Sequence, residues 1–337
     1  MSLKKSRILG FGSPILDLLL RVDDAFLARN VEGEKGGMRM LDAFSQRRLI
    51  SAVSEVNVRK AIGGSAFNTI SALTSLGFST AFLGKLGNDA DGTYFRETYA
   101  KMGGDASRFR ISPTEPTATC LSMVTPDSER TMRTNLGASA TLSPEDISDA
   151  DFKGITHFHA EGYMCFLMKT LKKALKLAKK HHCTVSFDLA SFEVVRLFRA
   201  DLEEIFSAGC VDIVFANEDE ARELCGPESF SPDRAAEKLA PFCTVVAVKL
   251  GKNGAFVTDR TVSCRIAPKS VQAVDTTGAG DLWQAGFLFG YLSGHGIEKA
   301  GKMGSLLGAE IVQVFGAEIP SGRWRGILSE FNNIKEQ

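Results

Sequence analysis

The sequence predicts an α/β fold: a mostly parallel central sheet with helices on both faces, carrying a small β lid. Three observations predict it. Short apolar runs alternate with stretches of helical periodicity along most of the 337 residues. No Pro/Ser linker, low-complexity block or short-period repeat divides the chain. Two regions, 18–58 and 112–137, break the alternation. Continuous apolar strands mark a parallel sheet covered on both faces. The expectation is therefore one domain over 1–337, with the lid formed by those two insertions.

In chain order, 8–12 reads as a strand and 66–76 as a helix. A strand at 80–84 and a helix at 92–102 follow, then a strand at 155–160. The lysine-rich run 169–182 sets Leu171, Leu175, Leu177 and Ala178 at helical spacing, which is an amphipathic helix with a solvated face. Residues 184–188, 212–216 and 245–250 read as strands, 218–225 and 231–240 as helices. A long apolar helix follows Asp281. Within the insertions, 118–125 and 130–136 look extended around a turn at Pro126-Asp127-Ser128-Glu129, whereas 18–58 is charged and irregular. A lid suits group transfer, because closure excludes competing water.

Composition narrows the function. Hydrophobic residues make up 44% of the chain, enough for a sizeable core, and the formal net charge of zero gives no field for nucleic acid. Seven cysteines without a C-x-x-C pair fit buried thiols in a reducing compartment better than disulfides or zinc. The start, Met1 to Arg7, lacks the apolar core of a signal peptide. No run approaches the ~18–20 apolar residues of a membrane span. A cytoplasmic protein with a small-molecule partner, and with neither nucleic acid nor membrane, is expected.

Five stretches carry chemistry. Asp275-Thr276-Thr277-Gly278-Ala279-Gly280-Asp281 runs into the last long helix, so free amides gather at Gly278, Ala279 and Gly280. Amides for developing charge and a carboxylate to take an alcohol proton are what phosphoryl transfer needs; the plainer alternative is an N-cap. Gly63-Gly64-Ser65-Ala66-Phe67-Asn68 lets a ligand approach backbone, with Asn68 offering donor and acceptor, or is a plain turn. No Gly-Lys-Ser/Thr follows, so it is not a Walker A loop. Gly10-Phe11-Gly12 lacks a third glycine, which weakens a nicotinamide-dependent dehydrogenase. Asp17, just after the first strand, stands where α/β sheets bind ligands and could accept from vicinal hydroxyls, or simply starts a surface loop. Asn217-Glu218-Asp219-Glu220 points two side chains toward magnesium-bound water or phosphate, or forms a cap. Lys249-Leu250-Gly251-Lys252-Asn253-Gly254 lets a nucleotide pack on backbone, or is an ordinary turn.

Together these stretches resemble the ribokinase family, the PfkB-type carbohydrate kinases, over nearly the whole chain. The resemblance implies a ribokinase-like fold with Asp281 as catalytic base and Gly278, Ala279 and Gly280 as the anion hole. It implies Asp17, Gly63, Gly64 and Asn68 on substrate hydroxyls, and Asn217 and Glu220 on Mg2+ and phosphates, Glu220 through water. Lys249, Gly251 and Gly254 would line the ATP site. Asp275, Thr277 and the Gly316 segment correspond to a monovalent-cation loop for K+. Gly10 to Asp17 looks most like the adenosine-kinase branch, with Ser13 where asparagine is common. Arg130 to Leu136 is similar to that branch's lid segment, making Arg130 a phosphate-facing arginine. Tyr163 and Met164 occupy the place of its aromatic base slot. The expected activity is ATP-dependent phosphorylation of a primary hydroxyl on an adenosine-like ribonucleoside or a sugar. A kinase of free ribose, fructose or a sugar acid, and a catalytically silent sugar- or nucleotide-binding regulator, are the alternatives. The chain is expected to be a monomer or homodimer.

Overall fold

The structure is a computed structural model that describes residues 7–53, 58–127, 129–226 and 231–336. Residues 1–6, residues 54–57 of the first insertion and Ser128 of the predicted turn lie outside the described residues.

Eight strands form the central sheet, in the order Ser263–Ile266, Ala255–Thr258, Val245–Lys249, Ile213–Asn217, Thr184–Asp188, His157–Glu161, Arg7–Phe11, Ser79–Leu83. Ala255–Thr258 pairs antiparallel with both of its neighbours, and every other pairing is parallel. Period-two alternation gives each face its own core. Leu9, Phe158, Val185 and Phe187 pack under the Met168–Lys180 and Phe192–Ser207 helices. Ile8, Phe82, Phe215 and Val245 pack under the Ser65–Ser75, Ala279–Leu292 and Ile297–Ile311 helices.

The lysine-rich helix does expose its basic face, and acids of neighbouring elements neutralise much of it. Lys172 lies 2.8 Å from Glu204, and Lys179 lies 2.9 Å from Asp212. The helix expected at 92–102 starts earlier, as Ala90–Lys101, because the Asp89 carboxylate caps it through the Gly92 amide. Cys120, Cys165, Cys183, Cys210, Cys225, Cys243 and Cys264 are all unpaired. No helix of the described residues is long and apolar enough to cross a membrane.

A second sheet has five strands, in the order Met38–Met40, Arg130–Asn135, Ala118–Val124, Ile15–Arg21, Arg59–Gly63. Leu16, Leu18, Leu20, Leu121 and Met123 fill its own small core with Leu27 and Leu49, from the Asp24–Asn30 and Ala43–Ala52 helices. This corrects two expectations. The 18–58 stretch is not irregular, and the sheet takes in Ile15–Arg21 and Arg59–Gly63 beyond its bounds. Leu19 follows Leu18 and interrupts the two-residue alternation, so this strand is hard to read as half-buried.

The chain passes between the sheets at Gly12-Ser13-Pro14 and returns at Gly64. There φ is +110°, and a Cβ would collide with the Ser13 carbonyl oxygen. Only glycine tolerates both constraints.

Candidate active site

The carboxyl ends of four neighbouring parallel strands bring Glu161, Asp188, Asn217 and Lys249 to one edge of the sheet. Glu161 pairs in register with Asp188, and Asn217 with Lys249. Alternation turns all four away from Phe158, Phe187, Val214 and Val248, toward the face covered by the Ser65–Ser75 and Ala279–Leu292 helices.

Asp281 stands in the first turn of the Ala279–Leu292 helix, whose N-cap Gly278 has the left-handed φ of +72°. One carboxylate oxygen accepts from Ser65 Oγ at 2.9 Å, the other from Asn68 Nδ2 at 2.8 Å. Thr69 Oγ1 donates to the Asp281 carbonyl at 3.0 Å. Two helix N-termini are thus joined at one carboxylate. Burial pushes its pKa up to about 6; Asn68, Ser65 and Lys249 pull down while Asp188 pushes up.

Lys249 Nζ lies 3.0 Å from Asp188 Oδ1 and 3.2 Å from where a Gly280 Cβ would sit. Burial alone would lower its pKa, but Asp188 and Glu220 outweigh that and hold it above the usual lysine value. Ser65, Tyr163, Asp188, Asn217, Lys249 and Asp281 line a cavity of about 370 Å3. An adjoining cavity of about 450 Å3 is lined by Gly251, Gly254, Val271, Trp283, Gly308 and Val312. Lys249, Gly251 and Gly280 border both. An apolar slot opening onto a lysine and a glycine-rich helix N-terminus suits the two halves of a nucleotide.

Asn217 and Glu220 realise the capping arrangement. Asn217 N and Nδ2 donate to the Glu220 carboxylate at 2.7 and 2.6 Å, and Glu220 N returns a bond to Asn217 Oδ1 at 2.9 Å. The pair also lines the smaller cavity, so cap and site coincide. Among the described residues no three His, Cys, Asp or Glu side chains are grouped to hold a metal directly. A magnesium ion here would depend on water and phosphate oxygens for most of its ligands.

Asp17 is corrected from a loop to the interior of the Ile15–Arg21 strand, opposite Ala61 and Cys120. Its carboxylate fills the space a Gly63 side chain would need. Burial pushes its pKa up to about 7, against the pull of Arg130. Arg130 borders neither of these two cavities. Its Nη1 lies 3.3 Å from Asp275 Oδ1, and both residues border a separate cavity of about 710 Å3 with Arg21 and Phe315. Asp275 also accepts from Thr277 N, Thr277 Oγ1 and Gly316 N at 2.9, 2.6 and 2.9 Å. These residues do assemble, and the positive charge beside them is the Arg130 guanidinium.

Met164 is corrected outright. It is 1% exposed within the core and borders none of these cavities. The Gly162–Leu167 segment is a 3-10 turn, so each residue is rotated by about 120° from the last; Tyr163 faces the cavity and Met164 the interior.

Sequence reasoning missed Ser65, Glu161 and Asp188. Ser65 sat unassigned inside a quoted motif. Glu161 and Asp188 each end or follow an apolar strand, and an acid at that place is itself a signal. Glu161 accepts from Ser13 N and Ala66 N at 2.8 and 2.7 Å, and burial pushes its pKa up to about 7.

The family model described as pfkB family carbohydrate kinase matches residues 38–323. An ATP-dependent ribose-1-phosphate kinase of Halopiger xanaduensis is 31% identical over 270 residues, 78% of this chain and 85% of that protein. An adenosine kinase of Dictyostelium discoideum is 27% identical over 337 residues, 94% of this chain and 97% of that protein. The crystal structure of adenosine kinase from Sinorhizobium meliloti superposes with a TM-score of 0.83 at 34% identity, covering 96% of this chain and 99% of that one. The chain belongs to the pfkB family of carbohydrate kinases, in its adenosine kinase-like branch, and is an ATP-using phosphotransferase acting on a sugar or nucleoside hydroxyl.

Proposed function

We propose that the enzyme phosphorylates the primary hydroxyl of an adenosine-like ribonucleoside, with Asp281 as the base. The observation that carries the chemistry is the part-buried Asp281 carboxylate, held by Ser65 and Asn68 beside the Gly280 turn and Lys249. Asp281 takes the proton as the hydroxyl oxygen attacks the terminal phosphorus of ATP in line, and ADP leaves with the bridging electron pair. The amides of Gly278 and Gly280, with Lys249 Nζ, stabilise the charge that develops, whereas the Ala279 amide expected to join them donates to the Thr276 carbonyl at 3.2 Å. Magnesium, carried with the nucleotide near Asn217 and Glu220, would neutralise phosphate charge. The potassium loop at Asp275, Thr277 and Gly316 belongs to this reading as a support for the anion hole. A cytoplasmic location fits the seven free thiols.

The second sheet supports a nucleoside over a free sugar. Pairing puts Met40, Thr134, Cys120 and Asp17 in one row on one face, with Met38, Met132, Ser122 and Leu19 in the next. Met38 and Met40 are 52% and 46% exposed. On that face Asp17 can accept from vicinal hydroxyls, while Met38 and Met40 on the edge strand three strands away leave apolar surface exposed; a ribose carrying a base suits that spread of polar and apolar groups better than a free sugar.

ADP release from ATP and magnesium, measured against nucleosides and sugars with and without potassium, tests the acceptor. A ribonucleoside is expected to exceed every free sugar in kcat/KM by about tenfold or more, the order of one good apolar contact. Turnover of a free sugar alone overturns the nucleoside reading. The base assignment has its own readout in pH. Asp281 works only when ionised, and its pKa stands at about 6 rather than 3.8, so kcat/KM should rise through about pH 6 and level above it. A flat profile across that window removes Asp281 as the base.

A further inference from the structure

We propose that Glu161 is a positioning residue that fixes both chain crossings between the two sheets, and through them the groups on either side of the reacting hydroxyl. Glu161 is 1% exposed and lines neither of the two adjoining cavities, and the hydrogen bonds to the Asp281 carboxylate come from Ser65 and Asn68. Its Oε1 accepts from Ser13 N at 2.8 Å, on the outgoing crossing. Its Oε2 accepts from Ala66 N at 2.7 Å, on the returning one. Gly12 leaves it room, since a Cβ there would sit 2.6 Å from the Glu161 carboxyl carbon. The crossings also abut each other, Gly64 against the Ser13 carbonyl.

Each crossing leads directly to site residues. Ser13 leads into the Ile15–Arg21 strand, which carries Asp17. Ala66 lies between Ser65 and Asn68, the two donors that hold Asp281. One carboxylate thus sets the spacing between the hydroxyl-binding strand and the base. Two acceptors are required, because both partners are backbone N–H groups, that of Ala66 buried and that of Ser13 part-buried. Glutamine offers one acceptor and would turn an NH2 toward the other amide. Displacements well under an ångström at such a pair matter to in-line transfer.

The inference rests on the reading that Asp17 and Asn68 face the acceptor. Its test is steady-state kinetics of Glu161→Gln with whichever acceptor the wild-type enzyme turns over. The acceptor KM should rise roughly tenfold and kcat fall, with the ATP KM within about twofold, as expected for loss of one charged hydrogen bond on the acceptor side. Gly12→Ala, which displaces the same carboxylate without changing its chemistry, should give the same split and add little to Glu161→Gln when combined. Wild-type constants with only a lower unfolding midpoint, or equal losses toward both substrates, overturn the proposal. Fast hydrogen exchange at the Ser13 and Ala66 amides of the wild-type enzyme overturns it without any substitution. Turnover of a free sugar alone would refute the nucleoside reading but leave these ratios measurable.

Discussion

Asp281→Asn is expected to lower kcat by roughly 10³-fold, within the range for loss of a positioned general base, with ATP affinity kept within about twofold. The asparagine keeps the size of the side chain and an acceptor for one of its two partners. Ser65 Oγ and Asn68 Nδ2 both donate to the native carboxylate, so one of them must turn or meet an NH2. The fold is not at stake, because Thr69 still bonds the residue's carbonyl. Single-turnover ADP formation with calorimetric ATP binding separates the two effects. A rate close to wild type would mean that the hydroxyl loses its proton elsewhere.

Lys249→Met should cost less at the chemical step and more at the nucleotide. The lysine is a largely buried cation facing Asp188, Glu220 and Asp281, and it lies against Gly280. Without it, incoming phosphates meet carboxylates with no compensating charge. A drop of about 10²–10³ in kcat/KM for ATP is expected, as for loss of a preorganised charge at a phosphoryl site. The sign of a second effect is also determined. Lys249 lowers the Asp281 pKa, so its removal should move the acid limb of the pH profile to higher pH. Unchanged ATP kinetics, or a limb displaced toward acid, would show that Lys249 serves only to pair Asp188.

Much of this site was legible in the chain because its chemistry is local. The stretch from Asp275 to Asp281 holds its glycines, carboxylate and helix start within a few residues, so backbone amides and base must be neighbours whatever surrounds them. The same holds for Gly63 to Asn68, and for Asn217 and Glu220, which cap a helix and line a cavity through one geometry. The apolar strands of the parallel sheet were equally plain, since burial on both faces leaves a continuous signal.

Met164 and Asp17 mark where that reasoning stops. Adjacent residues in a 3-10 turn face different ways, and only packing decides which one meets the ligand. Asp17 looked like a loop residue because a carboxylate in a strand is uncommon, and the space that accepts it belongs to Gly63, 46 residues away. Glu161 bonds Ser13 across 148 residues and Ala66 across 95, separations at which no spacing rule operates.

The sequence by itself determined the α/β class and the local loops that gather amides, since each depends on short-range periodicity and backbone chemistry, and it pointed to the kinase family through the resemblance of those loops to that family's motifs. Only the tertiary structure decided which acid pairs with Lys249, what holds Asp281, and that Asp17 shares a face of the second sheet with Met38 and Met40. Those contacts join distant segments, and their energies come from burial and charge neutralisation that exist only once the two sheets and their helices are packed.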